Sequence, residues 1–337
     1  MNIRTLIKTT LDNTELDQIK NLFFETPYSA FLQNPEYDKV IGKNALHVLM
    51  YNGDSSLVSA YALVEAKKFF LVTISFGPIC SDESLFSFFS ISCIKALTDY
   101  GFKIIRFQPP FVQLLNWEKT KGLLQKEFAT FSLSLELNWS TLILDISPEK
   151  DILIKSFSEN HRRSIKKAKN ENLIIEEVND IKNMDGFAEG LCKMYAARKI
   201  PHNLKIEKER LKNLFEFVIE KKNGFILEVR KQTQLLGGIV LIRHNRNIFY
   251  LLGFSDPDYK NIPVNHLLFL ESFEKSKTFG CTYFDFGGYG RPEQADAQVL
   301  NINRFKDGFK GKRVDHPDTI LIPKNSFYKF IYTNYIK

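Results

Sequence analysis

Leu235-Leu236-Gly237-Gly238-Ile239-Val240-Leu241-Ile242 leads through a polar turn, Arg243 to Asn247, into the apolar run Ile248 to Phe254 and then Asp256-Pro257. Two apolar runs of strand length joined by a short polar turn predict a β-hairpin. An amphipathic helix follows, with Leu267, Leu268, Leu270 and Phe273 as its apolar positions; Gly280 ends it, and Thr282 to Phe286 reads as a further strand. The same order stands earlier in the chain. Leu57-Val58-Ser59-Ala60-Tyr61-Ala62-Leu63-Val64 runs through the polar Glu65-to-Lys68 turn into Phe69 to Phe76 and Gly77-Pro78. A helix with Leu85, Phe88, Phe89, Ile91 and Ile94 then ends at Gly101, before the strand Phe102 to Phe107. Hairpin, helix and strand therefore occur twice, which predicts a duplicated α/β unit; a solenoid would show shorter and more numerous repeats. The join is expected near Asp145 to Pro148, between the strand Ser140 to Leu144 and a Ser-Pro-Glu helix start, giving domains at 1–146 and 147–315.

The chain of 337 residues is long enough for two such cores, and 44% hydrophobic content with 30 phenylalanines can fill them. Cys80, Cys93, Cys192 and Cys281 form no Cys-x-x-Cys pair, and the six histidines show no metal-ligand spacing. The expectation is a chain without metal, in reducing cytoplasm. Met1 to Thr5 opens a mixed polar stretch without an apolar signal core, and no run approaches the ~20 apolar residues that span a bilayer. A net charge of +7 and a pI near 9.0 favour anionic ligands without naming one.

Two segments carry that charge to particular places. Arg162, Arg163, Lys166, Lys167 and Lys169 follow Ser158, which can cap a helix there, so the cations fall in adjacent stripes on one side. From charge alone, a solvated helix face is the favoured account of it. Asn303-Arg304-Phe305-Lys306-Asp307-Gly308-Phe309-Lys310-Gly311 gathers three cations and two aromatics against two glycines behind a buried strand. Read as a loop, it suits an anionic or acyl ligand.

That last segment resembles the Phe-Lys-x-Gly-Phe-Gly-Gly signature of the Fem peptidyltransferases, which move an amino acid from aminoacyl-tRNA onto a peptidoglycan precursor. Other stretches are similar to the same family in the same order. Phe31-Leu32-Gln33-Asn34-Pro35-Glu36-Tyr37 is similar to its Phe-x-Gln-x-x-x-Trp segment, with Tyr for Trp. Thr141 to Ile146 followed by His161 to Lys169 resembles the strand and Arg-x-x-Ile-x-Lys-Ala helix opening its second unit, and Tyr283 to Gly288 its Tyr-Asp-x-Gly-Gly strand end. Lys310 departs from the pattern, standing where the family has glycine. The resemblance implies two tandem Gcn5-related acetyltransferase (GNAT)-like domains with mixed sheets, an α/β (α+β) fold whose end, 316–337, returns to the first domain. The long coiled-coil arm of some members has no counterpart, since no heptad run follows the basic helix.

What the resemblance implies about function is amide formation on a nucleotide- or lipid-linked cell-envelope precursor, with aminoacyl-tRNA as donor and no cofactor. Lys306 is then the first candidate to neutralise an oxyanion or a tRNA phosphate, with Asp285 as base or orienting group and Phe305 available to stack on a base. Tyr195, Arg198 and Tyr250 match substrate-contacting positions, and Lys43, or Lys39, lies near an N-terminal lysine that contacts the precursor. Arg162, Arg163, Lys166 and Lys167 would meet the tRNA. Aminoacyl esters are already activated, so no covalent nucleophile is required, and no Gly-x-Ser-x-Gly or Walker motif is present.

Two other readings stand beside it. An acyl-CoA-dependent N-acyltransferase would act on a nucleotide sugar, polysaccharide or small amine. It needs a glycine-rich turn before a helix to hold the pyrophosphate, whereas Asp256 to Val264 and Gly77 to Glu83 lack that spacing and carry carboxylates. A non-catalytic protein that binds anionic glycolipid or RNA is the third. Finally, Ser326 to Lys337 alternates aromatics with lysines, a composition that suits either packing or peripheral contact with a membrane.

Overall fold

The computed structural model describes residues 2–26, 29–67, 70–110, 117–133, 140–290 and 296–336. Lys68 and Phe69, read above as a turn and a strand start, lie outside them. The chain divides into two compact units: Met1–Glu136 with His316–Lys337, and Leu137–Asp315.

The first unit contains β1 (Ile3–Lys8), α1 (Asn13–Glu25), α2 (Asp38–Ile41), β2 (Ala45–Asn52), β3 (Ala60–Lys67), β4 (Leu71–Ser75), β5 (Ile79–Cys80), α3 (Phe86–Tyr100), β6 (Ile104–Gln108), α4 (Trp117–Glu127) and β7 (Phe131–Ser132). The second contains β8 (Ser140–Asp145), α5 (Lys150–Ser156), α6 (Glu159–Lys169), β9 (Ile174–Glu177), α7 (Met184–Ala197), α8 (Leu204–Phe215) and β10 (Gly224–Lys231). It continues with β11 (Gln234–His244), β12 (Asn247–Ser255), α9 (Val264–Thr278), β13 (Tyr283–Tyr289), α10 (Ala297–Asp307) and β14 (Lys312–Asp315). β15 (Ile320–Pro323) and α11 (Ser326–Ile331) complete the first.

Both predicted hairpins are present, as β3–β4 and β11–β12, and each is followed by its helix and a strand that pairs in parallel with the hairpin's second strand. The remaining neighbours are antiparallel, so both sheets are mixed: β1-β2-β3-β4-β6-β15-β7 with β5 on β3, and β14-β8-β13-β12-β11-β10-β9. This is the tandem GNAT architecture expected of the chain. The helices end where the sequence indicated. Gly101 takes φ +125 as the C-cap of α3, and Gly280 takes φ +74 just after α9.

The boundary at 146 needs correction. β8 pairs with β13 on one side and β14 on the other, so Ser140 to Asp145 lie inside the second sheet and the division falls at 136/137. Strand periodicity reports that a segment is extended, not which sheet receives it. β8 follows β7 of the first sheet along the chain but pairs in the second, whereas β15 follows β14 of the second and pairs between β6 and β7 of the first. Ile320, Leu321 and Ile322 are buried in that place, which accounts for the return of 316–337 to the first unit.

Burial explains why these segments form. In the second unit Phe225, Leu227 and Val229 of β10 pack with Leu268, Phe269, Leu270 and Phe273 of α9 and with Phe284, Phe286 and Phe309, so alternate strand positions meet a helix that is buried around most of its surface and not along one stripe. Much of it is phenylalanine, with edge-to-face pairs such as Phe273–Phe284 at 4.8 Å between centroids. No helix among the described residues is long and apolar enough to cross a membrane.

Candidate active site in the second unit

The two copies differ where β4–β6 and β12–β13 pair. In the first unit β4 and β6 stay paired from Leu71–Ile104 to Ser75–Gln108. In the second the parallel pairing covers only Asn247–Tyr283, Ile248–Phe284 and Phe249–Asp285, although both strands continue. Beyond Phe249 the strands diverge. Gly287 sits there with φ +66, and a Cβ at that position would come within 3.0 Å of the Tyr250 carbonyl oxygen.

A cavity of about 600 Å³ lies at this divergence. β12 contributes Tyr250 and Gly253, α9 contributes Asn265 and Phe269, and α10 contributes Gln298, Asn301, Phe305 and Lys306. Arg198, at the end of α7, lines it too. Its described lining holds two cations and no carboxylate. Such a pocket favours an anionic or strongly hydrogen-bond-accepting ligand.

The segment 303–311 is not the loop the sequence suggested. Asp296 caps α10 by accepting from the Val299 N–H at 2.8 Å, and the helix runs through Lys306 before turning at Gly308. Helical spacing puts Asn303 and Lys306 on one buried side: Lys306 is 6% exposed, and Asn303 brackets Gly290, donating to its carbonyl and accepting from its N–H. Lys310, in the glycine position, adopts φ +62, so the left-handed turn is made without glycine. Phe305 lines the cavity but also packs against His161, His266, Phe269 and Phe309, which limits it as a freely stacking ring.

Lys306 Nζ donates to the Gly288 carbonyl at 2.5 Å and the Gly287 carbonyl at 3.3 Å. An ammonium has three N–H donors, so one remains for a ligand in the cavity. Burial holds the Lys306 pKa down to about 8 against the opposing pull of Asp285. Asp285 is itself buried, and its pKa is pushed up to about 6 by desolvation, moderated by the Thr141 hydroxyl, the Gly287 N–H at 2.7 Å and Lys306. Its Oδ1 accepts one bond from Gly287 in its own strand turn and one from Thr141 on the neighbouring strand β8. The Tyr250 hydroxyl is driven by burial to about 12, with Arg198 pulling the other way and Tyr195 adding to the rise. Burial raises the Tyr195 hydroxyl, with Arg210 pulling the other way.

Other predicted residues fall elsewhere. Lys43 is exposed in the first unit, as part of a short helical turn, Gly42–Asn44. On α6, Ser158 caps the helix as predicted by accepting from the His161 N–H. Arg162 is turned back onto the Lys155 and Phe157 carbonyls, and Arg163 pairs with Glu159 at 2.5 Å, while Lys166 and Lys167 are exposed. The cationic stripe is thus narrower than its charge count.

The sequence reading also missed residues. His161 Nε2 lies 2.8 Å from the Phe305 carbonyl and its ring meets His266 edge-on at 4.5 Å, joining α6 to α10 and α9. Burial lowers the pKa of both imidazoles, that of His266 to about 4. Gln298, Asn301 and Asn265 entered the lining only through tertiary structure. Lys193 binds Asp256 and Asp258, each at 2.7 Å, so one cation offsets only part of the negative charge at the β12–α9 turn; glycine is also absent from that turn.

Residues 155–300 match the family model described as an acetyltransferase (GNAT) domain. No curated protein sequence matches the chain. Among solved structures, FemX is 14% identical and aligns over 98% of this chain and 100% of its own, with a TM-score of 0.79. A tandem GNAT protein from the clavulanic acid biosynthesis pathway (7% identity, 96% and 99% coverage) gives 0.61, and L-PGS from Bacillus licheniformis (13%, 93% and 92%) gives 0.57. The domain match and the fold define the class as tandem GNAT, a fold that supports an acyltransferase. Within that class the whole-chain fold is Fem-like.

Proposed function

We propose that the chain transfers an aminoacyl group from aminoacyl-tRNA to an amine of a cell-envelope precursor, forming an amide. The observation that carries this reading is Lys306, a buried cation with one donor left over, set in a cavity whose other described cation is Arg198. The acceptor amine attacks the ester carbonyl carbon; a C–N bond forms, the C–O bond to the ribose breaks, and the proton lost by the amine ends on the ribose oxygen. Lys306 donates to the oxyanion that develops, an interaction worth most in a site sheltered from water. Asp285 keeps the lysine charged without bonding it to the ligand. Arg198 suits a phosphate or carboxylate of the acceptor, with Tyr195 and Tyr250 beside it. Lys166 and Lys167 of α6 are the cations available to a tRNA phosphate backbone. No group is assigned as general base.

A second reading, transfer from acyl-CoA, is favoured by the acetyltransferase domain match. The missing glycines weigh against it. Transfer of radiolabel from a mixture of charged tRNAs, and in parallel from labelled acetyl-CoA, to nucleotide- and lipid-linked precursors separates the two. Label from tRNA that is lost in Lys306→Ala supports the first reading; label from acetyl-CoA alone replaces it with the second.

A further inference from the structure

The end of the first unit presents an apolar face that its own core does not use. From Ser326 to Ile336 the chain is continuously helical, with α11 passing into a wider π-type turn at Tyr332–Ile336. Its inner side is committed: Tyr328, Tyr332 and Ile336 pack with Leu71, Ile104 and Leu321. Its outer side carries Phe327, Phe330 and Tyr335, which are 63%, 56% and 73% exposed. The wider turn matters here. It brings Tyr335, five residues on, beneath Phe330 with ring centroids 6.2 Å apart, so that three aromatics share one face.

The charge around this face is one-sided. From Thr319 onward there is no Asp or Glu, while Lys324 and Lys329 are cationic; Asp318, just before, accepts from the Ser132 hydroxyl. The Lys324 N–H donates to the Lys103 carbonyl at 2.8 Å, which brings another lysine to the helix's N-terminal end. Lys329 sits 3.5 Å over the Phe131 ring, anchoring the helix from its flank. Glu127, the carboxylate beside Lys103 and Lys324, is itself paired with Lys95 at 2.8 Å.

We infer that this helix is a docking surface for an anionic lipid bilayer. Aromatic side chains with flanking lysines match the boundary between acyl chains and headgroups: rings enter the apolar side while ammonium groups stay with phosphates. A cationic rim is complementary to an anionic membrane, but repels an identical rim on a second copy of the chain. The surface is independent of the transfer reaction proposed above, and would hold whether the acyl donor is tRNA or coenzyme A.

The test is co-sedimentation of the full chain with phosphatidylcholine vesicles, with and without phosphatidylglycerol. The expected result is binding to the anionic vesicles that weakens with salt and falls at least about tenfold in Phe327→Ser/Phe330→Ser/Tyr335→Ser. These side chains are exposed, so melting of the triple variant should match wild type; Phe327→Trp gives a second readout, an emission shift to the blue on adding anionic vesicles. Equal sedimentation of wild type and triple variant, no blue shift, or light scattering that shows a wild-type dimer broken by the triple variant would each overturn the inference.

Discussion

The ring of His161 fills the space above Gly308: a Cβ on that glycine would lie 2.0 Å from the imidazole Cε1. The same ring bonds the Phe305 carbonyl, and the Ser158 N–H donates to the Gly308 carbonyl at 2.8 Å. The basic helix α6 is thereby fastened to the end of α10 that carries Lys306.

Gly308→Ala should therefore force the imidazole or α10 aside and destabilise the chain by about 1–3 kcal/mol, the usual range for overpacking. Urea denaturation measures it. Combining it with His161→Ala should cost less than the two single changes added together, because one substitution empties the space the other needs.

Lys306→Met should abolish transfer; it keeps the hydrocarbon stem but strips the Gly287 and Gly288 carbonyls of their donor, so a lower melting temperature is expected alongside and the transfer assay is run below it. Because an ammonium donor is required and its pKa stands at about 8, transfer by wild type should decline as pH rises through that value. A rate profile flat to pH 10 would remove the lysine from the chemistry.

Asp285 makes an opposite contribution to stability. Its pKa rises from 3.8 to about 6, so within that window the folded chain holds a proton the unfolded chain has released, and stability falls as pH rises. Lys306, lowered from 10.5 to about 8, gives a stability that rises with pH between those values, because there the unfolded chain holds more protons. Asp285→Asn should flatten the acidic limb, by about 2 kcal/mol across the window, as read from melting temperatures at pH 4 and pH 6.

Gln33 accounts for one of the motif residues without invoking catalysis. It is fully buried, and its amide donates to the Leu63 and Ser75 carbonyls and accepts from the Leu63 N–H, closing the gap where β3 and β4 stop pairing. Gln33→Leu should leave those backbone groups unsatisfied and destabilise the chain by about 2–4 kcal/mol, visible as a shift of the denaturation midpoint.

Removal of residues 316–337 should be more damaging than the loss of a tail. β15 lies between β6 and β7, so deletion exposes the edge of β6 and the apolar surface under Ile320 to Ile322. The soluble yield of the truncated chain should collapse. Normal solubility and an unchanged melting profile would contradict this placement of β15.

The sequence by itself determined the duplication, because apolar alternation, amphipathic spacing and helix-ending glycines are local signals and each unit writes them in the same order. It also marked Lys306, Arg198 and Tyr250, three residues that share the cavity, although 52 positions separate Arg198 from Tyr250 and a further 56 lead to Lys306. Tertiary structure decided what depends on partners distant in the chain. Ser140 to Asp145 reads as a strand in either unit, and only pairing with β13 and β14 assigns it. The 303–311 segment is rich in loop-like charge and glycine, yet the Asp296 cap and the burial of Asn303 and Lys306 make most of it helix. Arg162 and Arg163 count as charge in the sequence but are engaged by carbonyls and Glu159 in the fold. Local spacing sets which side of an element is apolar; burial and pairing, which sum over contacts from the whole unit, set where that side lies and which charge remains for a ligand.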